Sequence, residues 1–280
     1  MQTTIEAIDV HGHYGVYHRD GVPTIVNDCL SGDASTVAAR ATQAGIRATI
    51  VSPHSGLMPR GRADAVAANI EAAKVTAETD GLWQWVIAHP LQRATFRQVD
   101  EMLAQPQCLG IKIHPEEHLY PIREQGGALF ELAAKHNAIV LAHSGDPNSW
   151  PDDFVELANA HPNVTLILAH LGNGGAAAGD PRLQVQAIQA CRHSNVYVDT
   201  SSARSVLSGI LEWALDEIGA DRILFGTDTP LYSAGMQRAR IEFAEISEDD
   251  KRKILCDNAQ RLFAEKMSEK VSEKVSEPAR

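Results

Sequence analysis

Short apolar runs recur along the chain at intervals of roughly 25 to 40 residues, and each interval carries an Ala-, Leu- and Glu-rich stretch of helical period, the alternation expected of βαβ units. Eight runs are assigned to strands: Ile5 to His13, Arg47 to Pro53, Trp83 to His89, Cys108 to His114, Ala138 to His143, Val164 to His170, Val196 to Ser201, and Arg222 to Asp228. Segments such as Ala-Ile-Val-Leu-Ala at 138–142 are apolar along their whole length, as strands covered on both faces of a parallel sheet must be. Helix punctuation agrees with this division. Asp180-Pro181 reads as an N-cap followed by Pro at the first helical position, Ser149-Trp150-Pro151-Asp152 as a looser version, and Gly45, Gly81, Asn137 and Gly219 stand where a helix must stop.

Eight βα units predict an α/β protein with a single-domain (β/α)8 barrel, often called a TIM barrel. A doubly wound open sheet uses similar local patterns but calls for a Gly-rich phosphate turn after its first strand, where this chain has His11-Gly12-His13. The length of 280 residues, 44% of them hydrophobic, suits one such domain. The barrel is assigned to residues 1–266. Residues 267–280, with two consecutive Ser-Glu-Lys-Val units, form a polar tail expected to be mobile or weakly helical. Helical spacing from Ile254 to Phe263 suits a segment that closes the barrel bottom. Trp83 and Trp85 are assigned to core packing, one toward the barrel and the other toward the helices.

A formal net charge of −11 with no basic stripe argues against nucleic acid as a partner. No apolar run approaches the roughly 20 residues of a membrane span, and the N-terminus lacks the features of a signal peptide, so a soluble cytoplasmic protein without a membrane partner is expected. Cys29, Cys108, Cys191 and Cys256 are scattered and read as small hydrophobes rather than ligands.

Strand alternation turns residues two apart to the same side, so His11 and His13 form a chelating pair at the end of the first strand. His114, His143, His170 and Asp228 end the fourth, fifth, sixth and eighth strands, the rim where active sites of α/β barrels assemble. Core packing gives no reason to end so many strands with ionisable groups. Lys112 lies two residues before His114 on the same face, and Asp9 precedes the chelating pair as a carboxylate beside a ligand or a purely structural acid. Arg60, Arg62 and Arg123 fall in loops of the same face, where each suits a carboxylate clamp or plain solvation.

The ordered segments Asp-Val-His-Gly-His (9–13), Gly-Ile-Lys-Ile-His-Pro (110–115), Leu-Ala-His-Ser (141–144), Leu-Ala-His-Leu-Gly (168–172), Val-Asp-Thr-Ser (198–201) and Phe-Gly-Thr-Asp-Thr-Pro (225–230) resemble the amidohydrolase superfamily. The resemblance is to its branch of small metal-dependent barrel enzymes that includes aminocarboxymuconate-semialdehyde decarboxylase-like proteins, and it runs from Asp9 to about Phe263. It implies that His11, His13, His143 and Asp228 hold one divalent metal ion, zinc first and Mn2+ or Fe2+ next, and that His170 contacts the metal-bound water or the substrate. Asp228 is then both ligand and candidate general base, and His114 and Lys112 are candidate substrate contacts. A second metal bridged by a carboxylated Lys112 is the less favoured arrangement, and self-association through outer helices is a further implication.

The leading functional expectation is hydrolysis of a small-molecule amide, imide, lactam or lactone by metal-activated water. The alternative is non-oxidative, metal-dependent decarboxylation of an unsaturated or aromatic carboxylic acid. A third reading, from a different class, is a metal-binding barrel without catalysis.

Overall fold

The computed structural model describes residues 5–276, with side chains through Ser268. Eight strands, β1 (Ala7–Tyr14), β2 (Ile46–Pro53), β3 (Leu82–Ile87), β4 (Cys108–Ile113), β5 (Ile139–Ala142), β6 (Thr165–Leu168), β7 (Val196–Asp199) and β8 (Ile223–Leu224), form one sheet in sequence order. Each neighbouring pair from β1·β2 to β7·β8 is parallel. Between β8 and β1 the sheet closes through Val10 N to Phe225 O (2.9 Å), Asp228 N to His11 O (2.7 Å) and His13 N to Thr229 O (2.6 Å). With helices in the βα intervals, the chain is a (β/α)8 barrel.

The strands are shorter at their C-terminal ends than the apolar runs suggest. β5, β6 and β8 stop at Ala142, Leu168 and Leu224, so His143, His170 and Asp228 stand in the turns beyond them. His170 and Asp228 adopt positive φ, 73° and 56°. Such conformations cost non-glycine residues free energy and persist only where the surroundings fix them, commonly at functional sites.

The interior layer comes from alternate strand positions, among them Ile8, Val10, Ile50, Trp85, Leu109, Leu141, Ile167 and Leu224. Trp83 joins the same cluster as Trp85, which corrects the expectation that the two would split. Two residues apart on a strand share a face, so both enter the interior. Trp85 donates Nε1–H to Val10 O at 2.9 Å and meets Phe263 edge-on, ring centroids 5.8 Å apart.

Phe263 belongs to the helix Asn258–Ser276, which follows a short π-helical turn over Lys253–Asp257 and packs Ala259, Phe263 and Met267 into that interior layer. The expected barrel-bottom closure is thus in place. Of the polar tail, residues 277–280 lie outside the described residues.

The predicted helix stops Gly45, Gly81, Asn137 and Gly219 all take positive φ. The Asp180-Pro181 start is displaced: that helix spans Leu183–Ala190, and Asp180 instead accepts from Arg182 N at 3.0 Å. Its carboxylate also holds the Arg182 guanidinium, which stabilises the turn before the helix rather than its first residue. Among the described residues, no helix is long and apolar enough to cross a membrane.

Candidate metal and active site

At the C-terminal rim, β1 brings His11 and His13 to the axis, 1% and 4% exposed. Asp228 faces them from the β8 turn, its Oδ1 3.6 Å from His11 Nε2 and 3.2 Å from His13 Nε2. The turn is held there by Asp9, whose fully buried carboxylate accepts from the backbone N of His11 and of Thr227 (3.0 Å each) and from Thr227 Oγ1 (2.6 Å). Burial raises Asp9 to about 7, opposed by those hydrogen bonds. Asp9 therefore acts on the site through the backbone.

Both imidazoles are oriented from behind. His11 Nδ1 lies 2.8 Å from Asp199 Oδ2, and His13 Nδ1 lies 3.0 Å from Ser52 O. A proton on each Nδ1 satisfies those acceptors and leaves each Nε2 with a lone pair, which on His11 accepts from Lys112 Nζ at 2.9 Å and would have to be released to an ion. Burial holds His11 well below the ordinary imidazole range, so it is neutral, the form that ligates metals. Burial opposes ionisation of Asp228, but contact with His13 and proximity to His11 and His170 outweigh it and hold the carboxyl far below its ordinary range.

The three donor atoms lie within 4.8 Å of one another. Ligands about 2.1 Å from a tetrahedral ion are spaced about 3.4 Å apart, close to what Asp228 makes with the two imidazoles. Two oriented imidazoles and one carboxylate thus form a donor set that fits a divalent cation. His11, His170 and Asp199 form a second, overlapping group of potential ligands.

His143, the fourth expected ligand, is not brought into either group. Its Nδ1 lies 3.0 Å from His170 Nε2, its Nε2 lies 2.7 Å from Asp146 Oδ2, and its ring stacks on His114 with centroids 4.2 Å apart. These neighbours in its own and adjacent loops keep it one imidazole away from His11. His170 is fixed by its backbone N donating to Asp199 Oδ1 (3.0 Å) and by Nδ1 meeting Ser201 O and Ser201 Oγ. Its Nε2 faces His143, so Asp146, His143 and His170 make a continuous polar chain along the cavity wall.

Lys112 is fully buried, and its Nζ donates to His11 Nε2 at 2.9 Å. Burial lowers it to about 8, while Asp228 and Asp199 counteract. His114 accepts from Glu117 N at 3.2 Å, and burial holds it well below the usual imidazole range.

A cavity of about 320 Å³ opens above this cluster, lined by His11, His13, His54, His114, His143, His170 and Asp228 at its base and by Tyr17, Arg19, Arg60, Arg204 and Tyr232 higher up. Of the arginines proposed from the loops, Arg60 reaches the cavity but is engaged by Glu117 (2.9 Å) and Glu116 (3.3 Å). Arg62 and Arg123 do not line it and pair with Asp20 and Asp153 on the surface. Residues that sequence reasoning passed over are Asp199, Ser201, Asp146 and the cavity arginines Arg19 and Arg204. The signal for Asp199 and Ser201 is their place in the Val-Asp-Thr-Ser segment (198–201), since the strand that Asp199 ends extends to Ser201 in the sequence assignment.

The family model described as amidohydrolase matches residues 8–264. The chain belongs to the amidohydrolase family. Among amidohydrolase relatives, a gamma-resorcylate decarboxylase of Polaromonas sp. (strain JS666) is 40% identical over 123 residues, covering 38% of this chain and 36% of that protein. The match thus spans only about a third of the curated relative's length.

Two solved structures share the fold throughout. The 2,6-dihydroxybenzoate decarboxylase from Rhizobium superposes with a TM-score of 0.71 at 19% identity, over 93% of this chain and 99% of the other. A dihydroxybenzoic acid decarboxylase from Polaromonas sp. JS666, with bound manganese and the inhibitor 2-nitroresorcinol, gives 0.71 at 19% identity over 96% and 99%. These amidohydrolase relatives correct the leading functional expectation: the names they carry are those of decarboxylases, not of amide or lactone hydrolases. They match the alternative.

Proposed function

We propose that this amidohydrolase is a metal-dependent, non-oxidative decarboxylase of a small hydroxylated aromatic acid. The observation that carries the reading is the His11, His13 and Asp228 donor set at the closed base of a cavity of about 320 Å³, a size suited to one substituted benzene ring, in a family member whose relatives are named as dihydroxybenzoate decarboxylases. His143 joins the donor set in this proposal only by a ring movement away from Asp146.

A divalent ion, Mn2+ or Zn2+, bound by His11, His13 and Asp228 supplies Lewis-acid polarisation of the substrate's oxygens. The protein's own groups do the rest. Lys112 places a cationic Nζ beside His11, where it favours an anionic substrate and opposes a second cation. Tyr17, Leu57 and Met58 line the cavity and confine the ring.

In the reaction the bond between ring carbon and carboxylate breaks, its electron pair stays on the ring carbon, CO2 leaves, and one proton replaces it. His170, backed by His143 and Asp146, is the group assigned to hold and deliver that proton, because its chain of hydrogen bonds reaches from the cavity base to a partly exposed carboxylate.

The test is CO2 release and 1,3-dihydroxybenzene formation from 2,6-dihydroxybenzoate by protein stripped of metal and then loaded with Mn2+ or Zn2+. Turnover restored by metal and lost in His170→Asn supports the reading. An absence of CO2 from a panel of ortho-hydroxybenzoates with fully loaded protein overturns it.

A further inference from the structure

β4 carries Lys112 into the donor cluster, where its Nζ donates to His11 Nε2 at 2.9 Å. That nitrogen offers a single lone pair. The same atom faces Asp228 Oδ1 at 3.6 Å, and that oxygen lies 3.2 Å from His13 Nε2, so the lysine holds the His11 position of the three-donor set. A divalent ion takes an imidazole nitrogen at about 2.1 Å through this lone pair, and the ammonium and the ion therefore compete for it. His11 has no second nitrogen to offer, because Asp199 Oδ2 engages Nδ1 from behind at 2.8 Å.

The charges lead to the same point. Lys112 is fully buried, and Asp228 and Asp199 both favour its charged form. In the metal-free protein an ammonium placed here balances buried carboxylates that otherwise stand uncompensated. Lysine suits this duty, being a compact charge on a flexible four-carbon stem that can yield its place, whereas a forked arginine is held by several bonds at once. We infer that Lys112 is a built-in competitor for the metal ion: its ammonium occupies the His11 donor position in the metal-free protein and is displaced when an ion binds. The inference rests on the donor set of the proposed function and is independent of the reaction assigned to it. A competitor tethered beside the site weakens the apparent affinity for any cation by the fraction of time that the lone pair is free.

The experiment measures Mn2+ affinity by competition with a chromophoric chelator, beside urea unfolding of metal-free protein, for wild type, Lys112→Met and Lys112→Gln at one pH. Methionine keeps an unbranched stem, has no N–H to donate, and its thioether is a poor ligand for Mn2+; glutamine keeps a donor without the charge. Lys112→Met is expected to bind Mn2+ about tenfold tighter or more, equal to about 1.4 kcal/mol, while its metal-free form unfolds at lower urea than the wild type. Lys112→Gln falls between. Affinity within about twofold of wild type in Lys112→Met overturns the inference, and so does weaker binding, which makes Lys112 a group that helps to hold the ion. If circular dichroism shows Lys112→Met unfolded, Lys112→Gln decides, with about threefold tighter binding supporting the inference and anything less overturning it. Failure of the donor set reads differently from failure of the competition: in the first case Asp228→Asn leaves Mn2+ affinity unchanged, and in the second Asp228→Asn weakens binding while Lys112→Met has no effect.

Discussion

Asp199→Asn isolates the orientation of His11 from the rest of the site. The Asp199 carboxylate takes His11 Nδ1 at 2.8 Å through Oδ2, while Oδ1 accepts from His170 N at 3.0 Å, Ser201 N at 2.9 Å and the Ser201 hydroxyl. An asparagine of the same shape keeps one oxygen for the two backbone donors and turns an NH2 toward His11. That NH2 and a protonated Nδ1 are both donors, so the imidazole shifts to the tautomer with a bare Nδ1 and a proton on Nε2. The proton then occupies the Nε2 lone pair that accepts from Lys112 Nζ and that an ion would use.

Removing the group that orients a metal-bound histidine typically costs about 10- to 100-fold in metal affinity, or about 1.4 to 2.7 kcal/mol. The fold suffers less. The new NH2 to Nδ1 contact replaces the old one, and the cost of burying a carboxylate disappears against the lost Lys112 to His11 contact, so metal-free stability changes by about 1 kcal/mol. The assay is competitive Mn2+ titration beside thermal melts of metal-free protein. Affinity within twofold of wild type refutes the tautomer argument; an affinity loss matched by a collapse of the metal-free melt shows that Asp199 is structural instead.

Asp228→Asn removes the anionic member of the donor set, and Mn2+ affinity measured by equilibrium dialysis falls by about 100-fold or more, with the fold retained. Gly226→Ala places a Cβ 3.1 Å from Asp199 Cγ, His11 Cβ and Ser201 Cβ together, so it displaces the groups that set His11; metal affinity drops more than the melting temperature does. His89 and His118 stack with centroids 4.1 Å apart, and burial lowers them from 6.5 to about 4 and about 3. Because these folded-state values are below the unfolded one, the unfolded chain binds more protons between them. Stability is full above about pH 6.5 and declines as pH falls toward 4, and urea unfolding shows a shallower decline in His118→Gln.

The barrel was legible because its determinants are local. Apolar runs such as 138–142 and stop residues such as Asn137 carry strand and helix ends within a few positions, and His11-Gly12-His13 in place of a Gly-rich phosphate turn favours the closed order over an open sheet. The rim was less legible. Sequence marks that His143 ends the β5 segment but not that Asp146, three residues on, and His114, from another loop, compete for its ring. The same limit applies to Arg60, Arg62 and Arg123, which look alike in sequence and are separated only by which acid lies opposite each. Asp199 ends β7, but the apolar run extends the strand to Ser201 in sequence and so places Asp199 inside it rather than at the rim.

The rim also shows what the barrel sustains for this site. Lys112 is fully buried against an imidazole, and His170 and Asp228 hold left-handed backbone, each an expense that the rest of the fold carries. An ion that binds the native donor set and not the unfolded chain offsets that expense by mass action, about 2.7 kcal/mol at a concentration 100 times its Kd. The gain in unfolding free energy on adding Mn2+ must therefore equal the value calculated from the Kd measured on the native protein, and Asp228→Asn must reduce affinity and gain together. A gain that survives in Asp228→Asn places the ion elsewhere, because the carboxylate at 228 is the anionic donor that faces both His11 Nε2 and His13 Nε2, and no other acid among the described residues does so.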